Sequence, residues 1–511
     1  MAGGRWRIKS LDAVLATAEK KSLHRSLGPV QLTLLGIGGI IGTGIFVLTA
    51  EAAQKAGPGM MMSFVIAGTV SAVAALCYAE LAAMVPVSGS AYTYSYAVLG
   101  ELVAWQVGWA LILEYAVAAS AVSVGWSGYI VGLLAHLDHP IIIPAALAAG
   151  PDGGGVVNVL AVLIALVITV LLVIGTRESA TVNAVLVAIK LVALGAFLWL
   201  ALPVMKSANF HPFAPLGTTG IISSAASIFF AYVGFDAVST AAEETRDPQR
   251  NLPIGLIGSL AICTVIYLLV AAGAIGSYGA QPVFALTGEN LEPGSMALTA
   301  RCVHLAVQPL VCSKEALAHV LRSIHHPFVG NLLGLAAGIA LPTVILMMIY
   351  GQTRIFFVMS RDGLLPEILS RVHPRFHTPH VVTWITGGFV AFGAAFLPVG
   401  KLADISNAGT LFAFAAVSLA VMVLRRTQPA RKRPFRTPAV YVFGILSVIG
   451  CLVLFVFLPW QAQLLFPIWS AAGLVFYYAY GYRHSHVGRG VTEVPELDSD
   501  APPGLISGEE K

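Results

Sequence analysis

The stretch GIGGIIGTGIF, residues 36–46, places five glycines in eleven positions of an otherwise apolar segment. Glycine costs about 1 kcal/mol relative to alanine inside a helix. A segment that must satisfy its own backbone hydrogen bonds in lipid should avoid that composition. Two readings compete. Gly38 and Gly42 form a GxxxG pair, which lets helices pack closely. The alternative is a helix broken at its centre. A phosphate-binding glycine loop does not fit, because no βαβ unit surrounds the stretch.

The surroundings are those of a membrane protein. Hydrophobic residues make up 57% of the chain and charged residues 11%, with a mean hydropathy of +0.83; soluble domains carry about 25% charged residues. Apolar runs near the spanning length of about 20 residues predict an all-α integral membrane protein with twelve transmembrane helices. They fall near 29–50, 58–84, 104–132, 155–174, 182–204, 219–243, 253–276, 330–353, 381–398, 406–424, 438–458 and 460–482. Outside them lie a basic cytoplasmic lead-in over 1–28, a long outer loop over 277–328 and an acidic tail over 487–511 that reads as disordered. No stretch fits a soluble catalytic domain, and no metal site or nucleotide motif stands out.

Basic residues set the expected orientation. Of the 29 Lys and Arg residues, six fall in segments assigned to the outside (Lys55, Lys206, Arg301, Lys314, Arg322, Lys401) and Lys190 falls within a span. The rest lie on the side of both termini, the densest cluster being RRTQPARKRPFR at 425–436. This positive-inside bias predicts cytoplasmic termini in a cell (plasma or inner) membrane. The formal net charge of +4 thus reports topology, and nucleic acid is not expected as a partner. Cys77, Cys263 and Cys451 read as small apolar residues within spans, while Cys302 and Cys312 share the outer loop, where both a disulfide and two free thiols remain open.

Many transporters are built from two inverted halves, so a broken helix in one half should have a counterpart in the other. Five spans after the first comes IISSAASIFFAYVGFDAVSTAAEE, residues 221–244, with serines, Gly234 and the intramembrane Asp236. Two interrupted spans in corresponding positions point to a binding site at mid-membrane.

Together with GQTRIFFVMSRDGLLP (351–366), CYAELAAMVPVSGSAYTYSY (77–96), GWALILEYAV (108–117) and RESATVNAVLVAIKLV (177–192), these two stretches resemble the amino acid–polyamine–organocation superfamily. The similarity is greatest to its bacterial cationic amino acid transporter branch and spans residues 25–480. The resemblance implies a LeuT-type fold: two inverted five-helix repeats, at 29–204 and 219–424, plus two peripheral helices at 438–482. It implies alternating access of an amino acid substrate; no covalent chemistry is expected, and no obligate protein partner is inferred. Proton symport is the leading expectation; an amino acid exchanger and a transport-derived sensor are the alternatives.

An amino acid zwitterion needs donors for its carboxylate and acceptors for its ammonium, which a helix N-terminus and C-terminus supply. The amides of Gly42, Thr43 and Gly44 are the candidates for the carboxylate. The carbonyls of Phe229, Phe230 and Ala231 are those for the ammonium, with Gly234 giving the backbone its freedom. Phe230 and Tyr232 are candidate aromatic gates and Met347 a pocket-lining residue by family position. Glu114 is a candidate pocket or relay residue, and Asp236 a helix cap or substrate contact. Lys190 lies about 13 Å into its span at 1.5 Å per residue, and an ionisable group at that depth reads as functional. Proton-coupled members of the superfamily place such a lysine against the first-helix break, where sodium-coupled relatives hold an ion. The resemblance therefore implies that Lys190 couples protons, rather than sodium, to transport. Where many relatives have an acidic residue, this chain has Ala110, so no role is carried over there.

Overall fold

The computed structural model describes residues 7–9, 11, 27–87, 89–175, 180–376 and 378–490. Most of the 1–28 lead-in, and the tail beyond Gly490, lie outside the described residues. Among the latter the chain is helical, with three isolated backbone bridges and no strand. In chain order the main helices are α1 (Pro29–Ile40), α2 (Thr43–Phe46), α3 (Leu48–Ala56), α4 (Met60–Met84), α5 (Ser90–Val98), α6 (Glu101–Ala135), α7 (Val159–Ile174) and α8 (Ala180–Ala201). They continue with α9 (Gly217–Ile228), α10 (Pro248–Tyr278), α11 (Ala316–Ser323), α12 (Pro327–Arg361), α13 (His380–Phe396), α14 (Val399–Thr427), α15 (Val440–Val456) and α16 (Trp460–Phe476).

Among the described residues, seven stretches are long and apolar enough to cross a membrane, and four further apolar helices run 10–17 residues. The count departs from the expected twelve mainly where helix is interrupted. The segment near 29–50 is divided among α1, α2 and α3, and α3 runs on through Gly57–Gly59 into α4. The segment near 219–243 is divided into α9 and two 3₁₀ turns, Phe229–Tyr232 and Asp236–Glu244.

Helix α6 is the central strut. It packs against α12, α14, α13, α5 and α7, while α10 lies against α1 and α4. Its tryptophans hold the last helix. Trp105 Nε1 donates to Gly473 O at 2.8 Å, and Trp109 and Trp469 donate to each other's carbonyls at 2.8 Å. Gly473 leaves the room that the Trp109 indole occupies.

Polar networks close both ends. On the face that carries residues 425–436, the buried Glu80 accepts a two-pronged pair from Arg425 at 2.7 and 2.8 Å, and the Thr437 N–H at 2.8 Å. Arg433 Nε lies 3.3 Å from the same carboxylate. Glu80 therefore sits in an ion-pair network, and that network anchors the basic loop. Arg7 pairs with Glu101 and Lys9 with Asp362, so the described part of the lead-in is docked across the ends of α6 and α12.

On the opposite face, Cys302 and Cys312 form a disulfide. Beyond it α11 is seated among α12, α10, α8 and α3, with Ala316, Leu317, Ala318, Val320 and Leu321 buried. Glu315, at its start, presses its carboxylate onto Gly132 of α6, where any side chain would collide with it. The carboxylate pairs with Arg322 and lies 4.0 Å from His136 Nδ1. Burial pushes the Glu315 carboxyl from 4.5 up to about 7, the Arg322 guanidinium pulling it partly back. The docked state therefore binds a proton that the undocked state releases between those values, and docking tightens as pH falls through 7 toward 4.5. Amide exchange over residues 316–323, corrected for intrinsic rates, should slow as pH falls from about 7.5 to about 5.5. Glu315→Gln should flatten that dependence.

Candidate functional site

The site is built from backbone that helices leave unfinished. Helix α1 ends at Ile40, Ile41 turns extended (ψ 95°), and Gly42 takes φ −148° and ψ −147° before α2 starts. Val47 interrupts the chain again before α3. The first N–H groups of a helix have no carbonyl behind them, which leaves the amides at Gly42, Thr43 and Gly44 facing the break. Carbonyls freed at the end of α1 and at the end of α2 are taken by side chains from three different helices. Lys190 Nζ of α8 donates to Gly38 O at 2.8 Å, Tyr267 of α10 to Ile40 O at 2.7 Å, and Tyr129 of α6 to Phe46 O at 2.8 Å. Each would otherwise lie unpaired in a low-dielectric interior.

The second break follows α9. After the 3₁₀ turn Phe229–Tyr232, Val233 is extended and Gly234 has φ +113°, a left-handed value that favours glycine. Asn407 Nδ2 of α14 caps this end, donating to Ala226 O at 2.9 Å and Ser227 O at 3.0 Å. Phe230 O accepts the Val233 N–H at 3.2 Å, leaving one of its two lone pairs.

The breaks cross in direct contact. A Cβ on Gly44 would stand 2.3 Å from Ala231 Cα, and one on Gly234 2.8 Å from the Gly39 carbonyl. Met347 Cε of α12 lies 3.0 Å from the corresponding position at Gly39, and Val344 3.5 Å from that at Gly42. Gly125 of α6 makes room for Thr43. Packing and break are therefore the same feature: each glycine of the 36–46 stretch faces a different neighbour, and two of them meet the second break.

The structure thus gathers Gly42, Thr43, Gly44, Phe229, Phe230, Ala231, Gly234 and Met347 around one crossing, with Lys190 beside it on Gly38. Tyr232 belongs to the wall, but its hydroxyl turns away and donates to Phe64 O of α4 at 2.9 Å. Asp236 is buried as the first residue of its 3₁₀ turn. It accepts the Gly234 N–H at 3.3 Å and the Tyr115 hydroxyl at 3.1 Å, so it braces the second break. Glu114 is buried against α14, where Ser406 donates to its backbone carbonyl at 3.2 Å, with Asp236 and Thr410 as polar neighbours of its carboxylate. Sequence reasoning missed Asn407, Tyr267, Tyr129 and Tyr115. Asn407 alone carried a usable signal, an amide inside an apolar span; tyrosines in spans are ordinarily packing.

The family model for amino acid permeases matches residues 27–479. The branched-chain amino acid permease BcaP of Bacillus subtilis is 44% identical over 95% of this chain and 99% of its own length. The methylthioribose transporter of the same organism is 42% identical over 94% and 98%. Human cationic amino acid transporter 4 is 33% identical over 82% of this chain and 62% of its own.

The crossing makes the glycines unequal. Gly44→Ala forces a methyl into backbone at 2.3 Å, whereas Gly42→Ala meets Val344 at ordinary contact distance. Overpacking of this kind costs about 1–3 kcal/mol of stability, and by pushing the two breaks apart Gly44→Ala should abolish ligand-induced stabilisation while membrane insertion persists. Gly42→Ala should bind nearly as the parent does. Thermal-shift titration of both variants with a panel of amino acids checks this.

Proposed function

The chain belongs to the amino acid permease family, and from that premise we propose that it is a secondary transporter driving uptake of a neutral amino acid with protons. The observation that carries this reading is the crossing of two broken helices with Lys190 bonded to the Gly38 carbonyl. The amides at Gly42, Thr43 and Gly44 offer a positive helix end to the substrate carboxylate, and the carbonyls at Phe229 and Ala231 a negative one to its ammonium. Lys190 is the coupling residue: its ammonium sits on the wall of the first break and donates to that carbonyl, a charge-assisted bond that weakens when the amine gives up its proton. Glu114 and Asp236 stand behind the second break as a relay or bracing pair.

The architecture we assign is LeuT-type. Residues 29–204 and 219–424 form inverted five-helix repeats, 438–482 form two peripheral helices, and twelve spans leave both termini cytoplasmic. The disulfide loop then faces outward.

A neutral, apolar side chain fits the surroundings. Val344 and Met347 border the first break, Asp236 is engaged by Tyr115 and Gly234, and the nearby cation is Lys190. The branched-chain permease relative is consistent with this; the methylthioribose relative, nearly as similar, makes that thiosugar the control substrate.

Proteoliposomes under an inward proton gradient should accumulate a branched-chain amino acid, and unlabelled leucine should outcompete methylthioribose. Lys190→Ala should retain ligand-induced thermal stabilisation but lose about tenfold or more of the gradient-driven uptake, equivalent to ~1.4 kcal/mol of coupling. Intact pH-driven uptake in Lys190→Ala would remove the coupling role. Counterflow without a gradient at full rate would favour exchange over symport.

A further inference from the structure

The basic stretch RRTQPARKRPFR, 425–436, is folded more tightly than a charged loop requires. Its organiser is Arg433, whose guanidinium is buried inside the loop it belongs to. That guanidinium donates to the carbonyls of Leu424, Gln428, Pro429 and Arg431 at 2.7–3.2 Å and shares the Glu80 carboxylate with Arg425. Thr437 closes the far end, its hydroxyl donating to Leu76 O of α4 at 2.9 Å, while Phe435 packs against the core. Pro429 and Pro434 stiffen what lies between. Two of the six cations are thus consumed inside the loop. Arg426, Lys432 and Arg436 are exposed and make no hydrogen bond or ion pair among the described residues. Arg436 stands near enough to Arg433 to repel it, so the fold holds these charges together against their own field. Directly after the loop, α15 turns its first residues outward, with Tyr441 48%, Val442 57% and Ile445 51% exposed. A tyrosine followed by aliphatic side chains is how a span meets the headgroup region. Charge and apolar surface are therefore contiguous, in the order in which a phospholipid presents its phosphate and its chains.

We propose that the 425–436 loop is a docking site for an anionic phospholipid, whose phosphate is held by Arg426, Lys432 and Arg436 and whose chains lie along Tyr441, Val442 and Ile445. Arginine suits the role because its planar guanidinium grips a phosphate through two parallel bonds. Juxtamembrane cations attract anionic lipids whatever their arrangement. A loop already knotted around Arg433 adds selectivity, since little backbone freedom is left to lose on binding. A soluble anion would use the charges and leave the apolar strip idle, so their contiguity favours a lipid. On charge alone the competing occupant is the acidic stretch 491–511 of this chain.

The site stands apart from the transport reading, and its test uses no amino acid. The full chain in detergent is titrated with dioctanoyl phosphatidylglycerol or dioctanoyl phosphatidylcholine, and bound lipid is counted by native mass spectrometry. Phosphatidylglycerol should bind about tenfold more tightly, ~1.4 kcal/mol, and added salt should erode the difference. Arg426→Gln, Lys432→Gln and Arg436→Gln together should bring the two lipids level. Arg371→Gln with Arg375→Gln, exposed cations on the same face, should leave the preference intact. Where the triple variant does not fold, Lys432→Gln and Arg436→Gln singly should each show part of the loss. Equal affinities in the parent, or a preference that survives the loop substitutions, overturn the proposal. So does displacement of phosphatidylglycerol by glycerol phosphate at matching concentration, which marks a soluble-anion site. A chain ending at Gly490 that binds phosphatidylglycerol several times more tightly than the full chain overturns it too, because the loop then belongs to the acidic stretch.

Discussion

Everything at the centre of this molecule depends on what happens to peptide groups freed inside a membrane. An unpaired N–H or C=O there costs several kcal/mol, so a helix can be broken at mid-depth only if each freed group finds a partner. The freed carbonyls of Gly38, Ile40 and Phe46 are met by Lys190, Tyr267 and Tyr129, and those of Ala226 and Ser227 by Asn407. What these partners leave over, amides on one strand of the crossing and carbonyls on the other, is complementary to a zwitterion. The site proposed here is the remainder of a hydrogen-bond pattern otherwise completed by side chains.

The same constraint explains why buried tyrosines, a lysine and an asparagine come from α6, α8, α10 and α14, and not from the broken segments themselves. Where the two backbones touch, Gly44 on Ala231 and Gly39 on Gly234, there is no room for a long side chain. Donors must reach in from outside, and each donor ties a neighbouring helix to the break. The ion-pair networks at the two faces, around Glu80 and around Asp404, lie at opposite ends of that arrangement.

Much of this was legible in the sequence. The glycines of 36–46, the polar character of 221–244 and the depth of Lys190 located both breaks and the lysine beside them, because glycine and charge are conspicuous in apolar segments. Span limits were less readable: α3 runs on beyond residue 50, burying Glu51 and Gln54 and leaving the Lys55 side chain only 12% exposed. Hydropathy counts Lys55 as an end signal, since it cannot see that a carboxylate from α14 awaits it. Tyr232 and Tyr267 are alike in composition, but one hydroxyl reaches a broken strand and the other turns to α4. That choice is set by helix packing, which no single-chain pattern encodes.

Backbone recognition also bears on why similarity is a poor guide to cargo in this family. Relatives at 44% and 42% identity are named for a branched-chain amino acid and for methylthioribose. If backbone amides and carbonyls hold the common part of a ligand, the fold can be retained while a few side chains decide the rest. In the proposed site those are Val344 and Met347, which border the crossing, and the buried Phe230. A change of one methylene in such a pocket is worth about 1–3 kcal/mol, as large as the preference between two neutral amino acids. In the reading proposed above, selectivity would rest on shape at α12 and the 229–232 turn, and charge on the breaks and Lys190.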